Sequence, residues 1–186
     1  ASQTAYADFS RRIGAVLFGE KGDHFGQAID LLAKTHRLPG MNGMGNGRFW
    51  QDDLGPMKTS APVERANAQR LLEIVRPAIE QLEACRKEAV ANADLLDAFL
   101  FGARRMELIG RRMLDRLEVV SLYAAAYEGT PKDAAPLLAQ AEALLQPNRD
   151  AHEALGREFA ALWARESKPY ALDWSMKRYQ AMVSQY

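Results

Sequence analysis

The residues best suited to chemistry stand in one short run, Arg48-Phe49-Trp50-Gln51-Asp52-Asp53. A tryptophan beside paired carboxylates is a way of holding a sugar. The indole stacks on the apolar face of the ring, and the acids accept hydrogen bonds from its hydroxyls. Phe49, Trp50, Asp52 and Asp53 are therefore the candidate carbohydrate-binding residues. The plainer reading has Phe49 and Trp50 anchoring a loop while the two acids stay in water. The run follows a Gly-rich stretch from Pro39 to Gly47 that is not a phosphate loop. No strand pattern precedes it, and neither a Gly-Lys-Ser/Thr ending nor the GxGxxG spacing is present. A connector is the simpler account.

Other chemistries find no matching constellation. His24, His36 and His152 are scattered, with no Cys or second His at ligand spacing. Nor is there the Glu-x-x-His pair of a di-iron bundle. No Gly-x-Ser-x-Gly elbow occurs. The single cysteine, Cys85, falls on an apolar seam where an inert thiol is expected, and one cysteine forms no internal disulfide. No catalytic residue, metal site or cofactor is assigned. Arg104, Arg105, Arg111, Arg112 and Arg116 are interleaved with Glu107, Asp115 and Glu118, which suggests a salt-bridged, solvated helix face. His152 lies on an apolar stripe and is read as a satisfied core histidine.

The elements that must carry these residues are helical. Residues 5–18 bring Phe9, Ile13, Val16 and Leu17 to one side. Residues 24–36 do the same with Phe25, Ile29, Leu32 and Ala33, with Asp23 as N-cap. Beyond Pro62, Ala68, Leu71, Val75, Ala78, Leu82, Cys85 and Ala89 repeat at alternating three- and four-residue steps. Pro77 lies within this seam and bends the helix without ending it. A second long segment, 94–128, carries Phe99, Met106, Ile109, Met113, Leu117, Val120 and Ala124, with Gly102 and Gly110 placed for close approach of a neighbour. Gly129 ends it, and Thr130-Pro131 restarts the chain as N-cap and first helical residue. The third, 131–166, carries Leu138, Ala141, Leu145, Asn148, His152, Leu155, Phe159 and Leu162, with a kink at Pro147. A last helix covers 170–184. Tyr123, Tyr127, Trp163 and Trp174 are expected to cap the core near segment ends. The fold class is all-α. We expect an antiparallel three-helix bundle of long kinked helices over 62–186, with a small N-terminal helical subdomain and Gly-rich loop over 1–61.

Bulk properties narrow the partners. The 186 residues carry 24 basic and 24 acidic side chains, so no long-range field favours nucleic acid or an anionic membrane, and neither is an expected partner. No apolar run approaches the ~20 residues of a bilayer span. A start at Ala-Ser-Gln-Thr fits a cut made between elements of a larger protein.

Two segments resemble a known family. Leu162-Trp163-Ala-Arg-Glu166-Ser167-Lys168-Pro169-Tyr-Ala-Leu172-Asp173 resembles the Leu-Trp-x-x-Glu-Asn-Arg/Lys-Pro-x-x-Leu-Asp/Glu ending of the helical domains that follow the barrel in family-20 glycoside hydrolases, the β-N-acetylhexosaminidase group. Ser167 stands where Asn is commoner. The opening from Tyr6 to Gly19 is similar to the segment after the last barrel strand of those enzymes. The resemblance covers the two ends of the chain. It implies a parent enzyme in which the substrate's acetamido oxygen is the nucleophile and an Asp-Glu pair supplies the acid. This chain has no Asp-Glu dipeptide and lacks the repeating pattern of a barrel. The implied role is thus a non-catalytic C-terminal support whose partner is the catalytic barrel of the same protein. A glycan would meet it at the 39–61 loop, and a periplasmic or extracellular location would follow. The residues alone leave two alternatives open: a stand-alone module forming a homo-oligomer through exposed seam residues, and a sugar-binding domain using Phe49, Trp50, Asp52 and Asp53.

Overall fold

The computed structural model describes residues 3–38, 47–50 and 59–186. These form an all-α architecture of six helices: α1 (Gln3–Phe18), α2 (His24–Leu32), α3 (Ala61–Glu88), α4 (Ala93–Glu128), α5 (Pro131–Glu166) and α6 (Leu172–Val183), with a 3-10 turn at Thr35–Arg37. The long helices α3–α5 run antiparallel in sequence. Asp97 and Arg86, Glu107 and Arg76, and Gly110 and Leu72 mark the α3–α4 register. Asp97 and Arg165, Arg104 and Glu158, and Asp115 and Asn148 mark that of α4 and α5.

Local chemistry sets the ends. The Thr130 hydroxyl accepts from the Asp133 backbone N–H and donates to the Asp133 carboxylate, with Pro131 in the first turn. Gly19, at φ 69, closes α1 in the left-handed region that suits glycine. At the other end of α3, the Val90 N–H and the Asn92 side chain both donate to the last carbonyls of α1, those of Phe18 and Leu17. Asp23 makes no side-chain cap to the α2 backbone. The buried Glu20 carboxylate does so instead, accepting from the Phe25 N–H at 3.1 Å. Helix continues through Pro77, Pro136 and Pro147.

The seam of α3 is buried from Ala68 to Cys85. One contiguous core joins it to Phe18, Phe25, Phe49, Leu96, Leu100, Ile109, Leu155 and Tyr179, so α2 and residues 47–50 share the interior of the long helices. α4 is the central rod. α3 and α5 each pack along it, and they hardly touch each other. The shallow space left between them holds a groove of about 470 Å³, bordered by Arg86, Asp97, Arg104, Glu158 and Arg165. Gly110 fits the close approach expected of it, since a Cβ there would lie 2.9 Å from Leu72. Gly102 does not, with nothing near its would-be Cβ.

Three further expectations meet a different outcome. The stripe of α1 is only partly covered: Ile13 and Leu17 pack against the core, Phe9 and Val16 face solvent, and Ser10, Gly14 and Phe18 turn inward. Tyr127 and Trp174 are exposed rather than core caps. Arg112 and Arg116, read as part of a solvated face, are buried. In each case periodicity defined a face, and the neighbour that covers that face was set elsewhere in the chain.

Candidate functional site

Residues 47–50 descend onto α4 beside α6, and polar tethers hold them there. Arg48 pairs with Glu64 in the first turn of α3 at 3.1 Å, the carboxylate almost fully enclosed. Arg112, on α4, donates from Nη1 to the Phe49 carbonyl at 2.8 Å. The same nitrogen approaches His152 Nε2 at 3.3 Å, and His152 Nδ1 lies 3.0 Å from the Asn148 carbonyl. A guanidinium can only donate, so Nε2 accepts and Nδ1 carries the proton given to Asn148. Asn148 in turn donates to Asp115 at 2.9 Å. A polar chain thus crosses from the loop through α4 to α5.

An aromatic cluster is built on that chain. Phe49 has no exposed surface. It meets Trp50 edge-on at 4.7 Å, Tyr179 at 5.8 Å and His152 at 5.2 Å between centroids. The Arg105 guanidinium lies 4.3 Å above the Phe49 ring, and that of Arg178 lies 4.5 Å above Trp50. Burial lowers the pKa of Arg105 from its usual value, while the ring face offsets part of the lost hydration. Burial, chiefly, pushes the Tyr179 phenol up to about 12, so it is neutral at ordinary pH. α6 reaches this cluster because Gly156 on α5 lets Tyr179 pack flush against the α5 backbone.

The four sequence-predicted residues separate here. Phe49 is enclosed and presents no ring face to a ligand. Trp50 is half-buried, with the Arg178 guanidinium over its ring and Tyr179 edge-on to it at 4.9 Å. Asp52 and Asp53 lie outside the described residues. Sequence reasoning missed Arg105, Arg112, Asn148, Arg178 and Tyr179 as neighbours of the loop. A signal existed for α4, because Arg105, Ile109, Arg112 and Arg116 follow one helical face. Nothing in the sequence says that residues 47–50 cover that face.

Elsewhere, Cys85 is buried, and burial together with the adjacent Glu20 carboxylate pushes its thiol up to about 12, the state of an unreactive core thiol. Among the described residues no cluster of His, Cys, Asp or Glu could hold a metal ion, and no helix is long and apolar enough to cross a membrane. No family model matches the chain, and no curated protein or solved structure does either.

Proposed function

We propose that this chain is a non-catalytic helical domain that supports the catalytic barrel of a glycoside hydrolase acting on N-acetylhexosamine-containing glycans. The observation that carries the reading is the outer face of α1. Phe9 is 59% exposed and Val16 76%, while another side of α1 is fastened to α2 through Tyr6 and Ser10, whose hydroxyls both donate to Asp30. A helix that turns such side chains outward can serve as a docking element. It is also the segment whose sequence is similar to the chain that follows a family-20 barrel. The second resembling segment has a structural role consistent with this. Trp163 donates its indole N–H to the Lys168 carbonyl at 2.8 Å, fastening the turn that joins α5 to α6. In this role the three long antiparallel helices act as a buttress, and the loop anchored by Phe49 fixes one of its flanks.

Two measurements test the proposal. The reading frame upstream of Ala1 should encode strand–helix repeats with an Asp-Glu pair near their end, and the isolated chain should not hydrolyse an aryl N-acetyl-β-glucosaminide. An upstream frame without such a barrel, or turnover that survives stringent purification, would defeat it.

A second reading, glycan binding through Trp50, Asp52 and Asp53, is favoured by the half-buried position of Trp50, with Phe49 as its backing. Titration with N-acetylglucosamine oligomers should then quench tryptophan emission, and Trp50→Ala should abolish binding with helicity intact. Identical titrations for the two proteins would remove this reading.

A further inference from the structure

We propose that the free end of the α4–α5 hairpin is a self-association surface through which two copies of this chain pair. The reason lies in unequal helix lengths. α4 and α5 have 36 residues each and α3 has 28. Along α3 the partners on α4 run from Asp97 through Glu107 to Gly110 as α3 is followed back from Arg86 through Arg76 to Leu72. At that pace Ala61, where α3 begins, draws level with Ser121. Beyond this point α4 has only α5 for a neighbour among the described residues, and there the hairpin tip is a two-helix finger.

The apolar stripes of both helices nevertheless continue to the tip. On α4 the stripe that is buried at Ile109, Met113 and Leu117 goes on to Val120, which is 42% exposed. On α5 the stripe buried at Ala141, Asn148, His152 and Leu155 goes on to Leu138, 41% exposed. Tyr123 and Tyr127 join them at 50% and 93%. Val119 and Ala126 on α4, and Ala141 on α5, are the buried positions of the finger's own seam. Val120 and Tyr127 lie one step past the seam positions Val119 and Ala126, and Leu138 lies one step past the half-buried Leu137; in antiparallel helices one step along each chain turns to the same side of the hairpin. That side is therefore a single face, in line with Arg116 and the loop cluster nearer the body.

The chemistry of the face selects the occupant. Residues 119–127 and 134–141 contain no Asp, Glu, Lys or Arg, and the exposed Glu142, level with Val120 in the α4–α5 register, marks the inner border of the face. A charged partner would lose hydration there without gaining a counter-charge. What fits is another uncharged helical face rich in small and apolar side chains. The finger itself is such a face, and two of them related by a two-fold axis would complete a four-helix arrangement in which each supplies the neighbour the other lacks. Alanines at 124, 125, 134, 135 and 139 permit close helix approach. Two tyrosines, a valine and a leucine exposed to this degree, with the intervening alanines, offer ~600 Å² per copy. Two copies would bury ~1,200 Å², the lower end of specific interfaces and the range of a reversible dimer. The inference is independent of any role beside a barrel.

The test is sedimentation of the full chain from ~1 to ~300 μM, a span chosen to bracket a weak dimer, alongside Tyr123→Glu/Tyr127→Glu and the single variants Tyr127→Ser and Leu138→Lys. The wild type should pass from monomer to dimer. The double variant should dissociate at least about tenfold more readily, as for loss of central aromatic contacts, with an unchanged circular dichroism spectrum. Tyr127→Ser changes a side chain already in water, so its weaker dimer keeps the test valid if the double variant unfolds. A wild type that stays monomeric throughout, whether or not it co-sediments with phosphatidylcholine vesicles, overturns the proposal. So does a dimer that the Tyr127→Ser and Leu138→Lys variants leave unaltered.

Discussion

Replacing Phe49 by alanine separates a loop that is part of the core from one that merely lies upon it. The change removes a ring with no exposed surface that contacts Trp50, His152 and Tyr179 and lies under Arg105. Truncations of buried phenylalanine cost ~3–5 kcal/mol, depending on how far the site collapses. Two tethers survive here, because Arg112 binds the Phe49 backbone carbonyl and Arg48 holds Glu64. They keep the loop close enough to refill part of the void, which puts the packing loss near the lower end, ~3 kcal/mol. Arg105 also loses the ring beneath its half-desolvated guanidinium, a further ~0.5–2 kcal/mol. For a chain of this size the combined loss should lower the melting temperature by ~7–20 °C. Urea unfolding followed by circular dichroism and by tryptophan emission would measure the loss, with the midpoint shifting at constant slope and the two probes coinciding. A loss below ~0.5 kcal/mol, the range of ordinary surface substitutions, would refute the assignment of Phe49 to the core and restore its ring as a candidate ligand platform.

Two further outcomes follow from named contacts. Gly26→Ala would set a Cβ 1.9 Å from the Ser10 carbonyl oxygen, so α1 must move off α2. The gain in helix propensity, ~1 kcal/mol, is outweighed, and a net loss of ~1–3 kcal/mol is expected from overpacking; a stabilised variant in thermal melts would contradict the α1–α2 crossing. At Asp97, burial pushes the carboxyl up, but the Arg86 and Arg165 guanidiniums outweigh it and hold it below its usual value. A depressed folded value means stabilisation that is present above the unfolded value of ~3.9 and is lost as pH falls through the folded one. Asp97→Asn should therefore cost up to ~1 kcal/mol at pH 7, as befits a partly exposed pair, and the two proteins should converge in urea midpoint in strong acid. A gap independent of pH would exclude the ion pairs as its cause.

The helices were legible because their signals are local. The step pattern from Ala68 to Cys85 gave α3 its buried face without reference to any neighbour, and Thr130-Pro131 marked the α5 start through one side chain and one ring. The candidate site was legible only in part. Phe49 and Trp50 stood out by type, but the two rings have different surroundings, and these come from α4, α5 and α6. Asn148 and His152 looked like stripe residues of a bundle, and the loop backbone that Arg112 joins to His152 lies about a hundred positions earlier in the chain.

From its order of residues alone, this protein is committed to six helices, to a sharp reversal at Gly129, and to an interior without a reactive thiol. Those follow from dihedral preferences and from spacing within a few turns. Tertiary structure decided which faces found a cover. Arg112 went inside because residues 47–50 and α5 close over it, whereas Phe9, Val16 and Tyr127 stayed in water because no other part of the described chain reaches them. Periodicity states which side of a helix is apolar, and only the paths of the remaining segments determine what meets it.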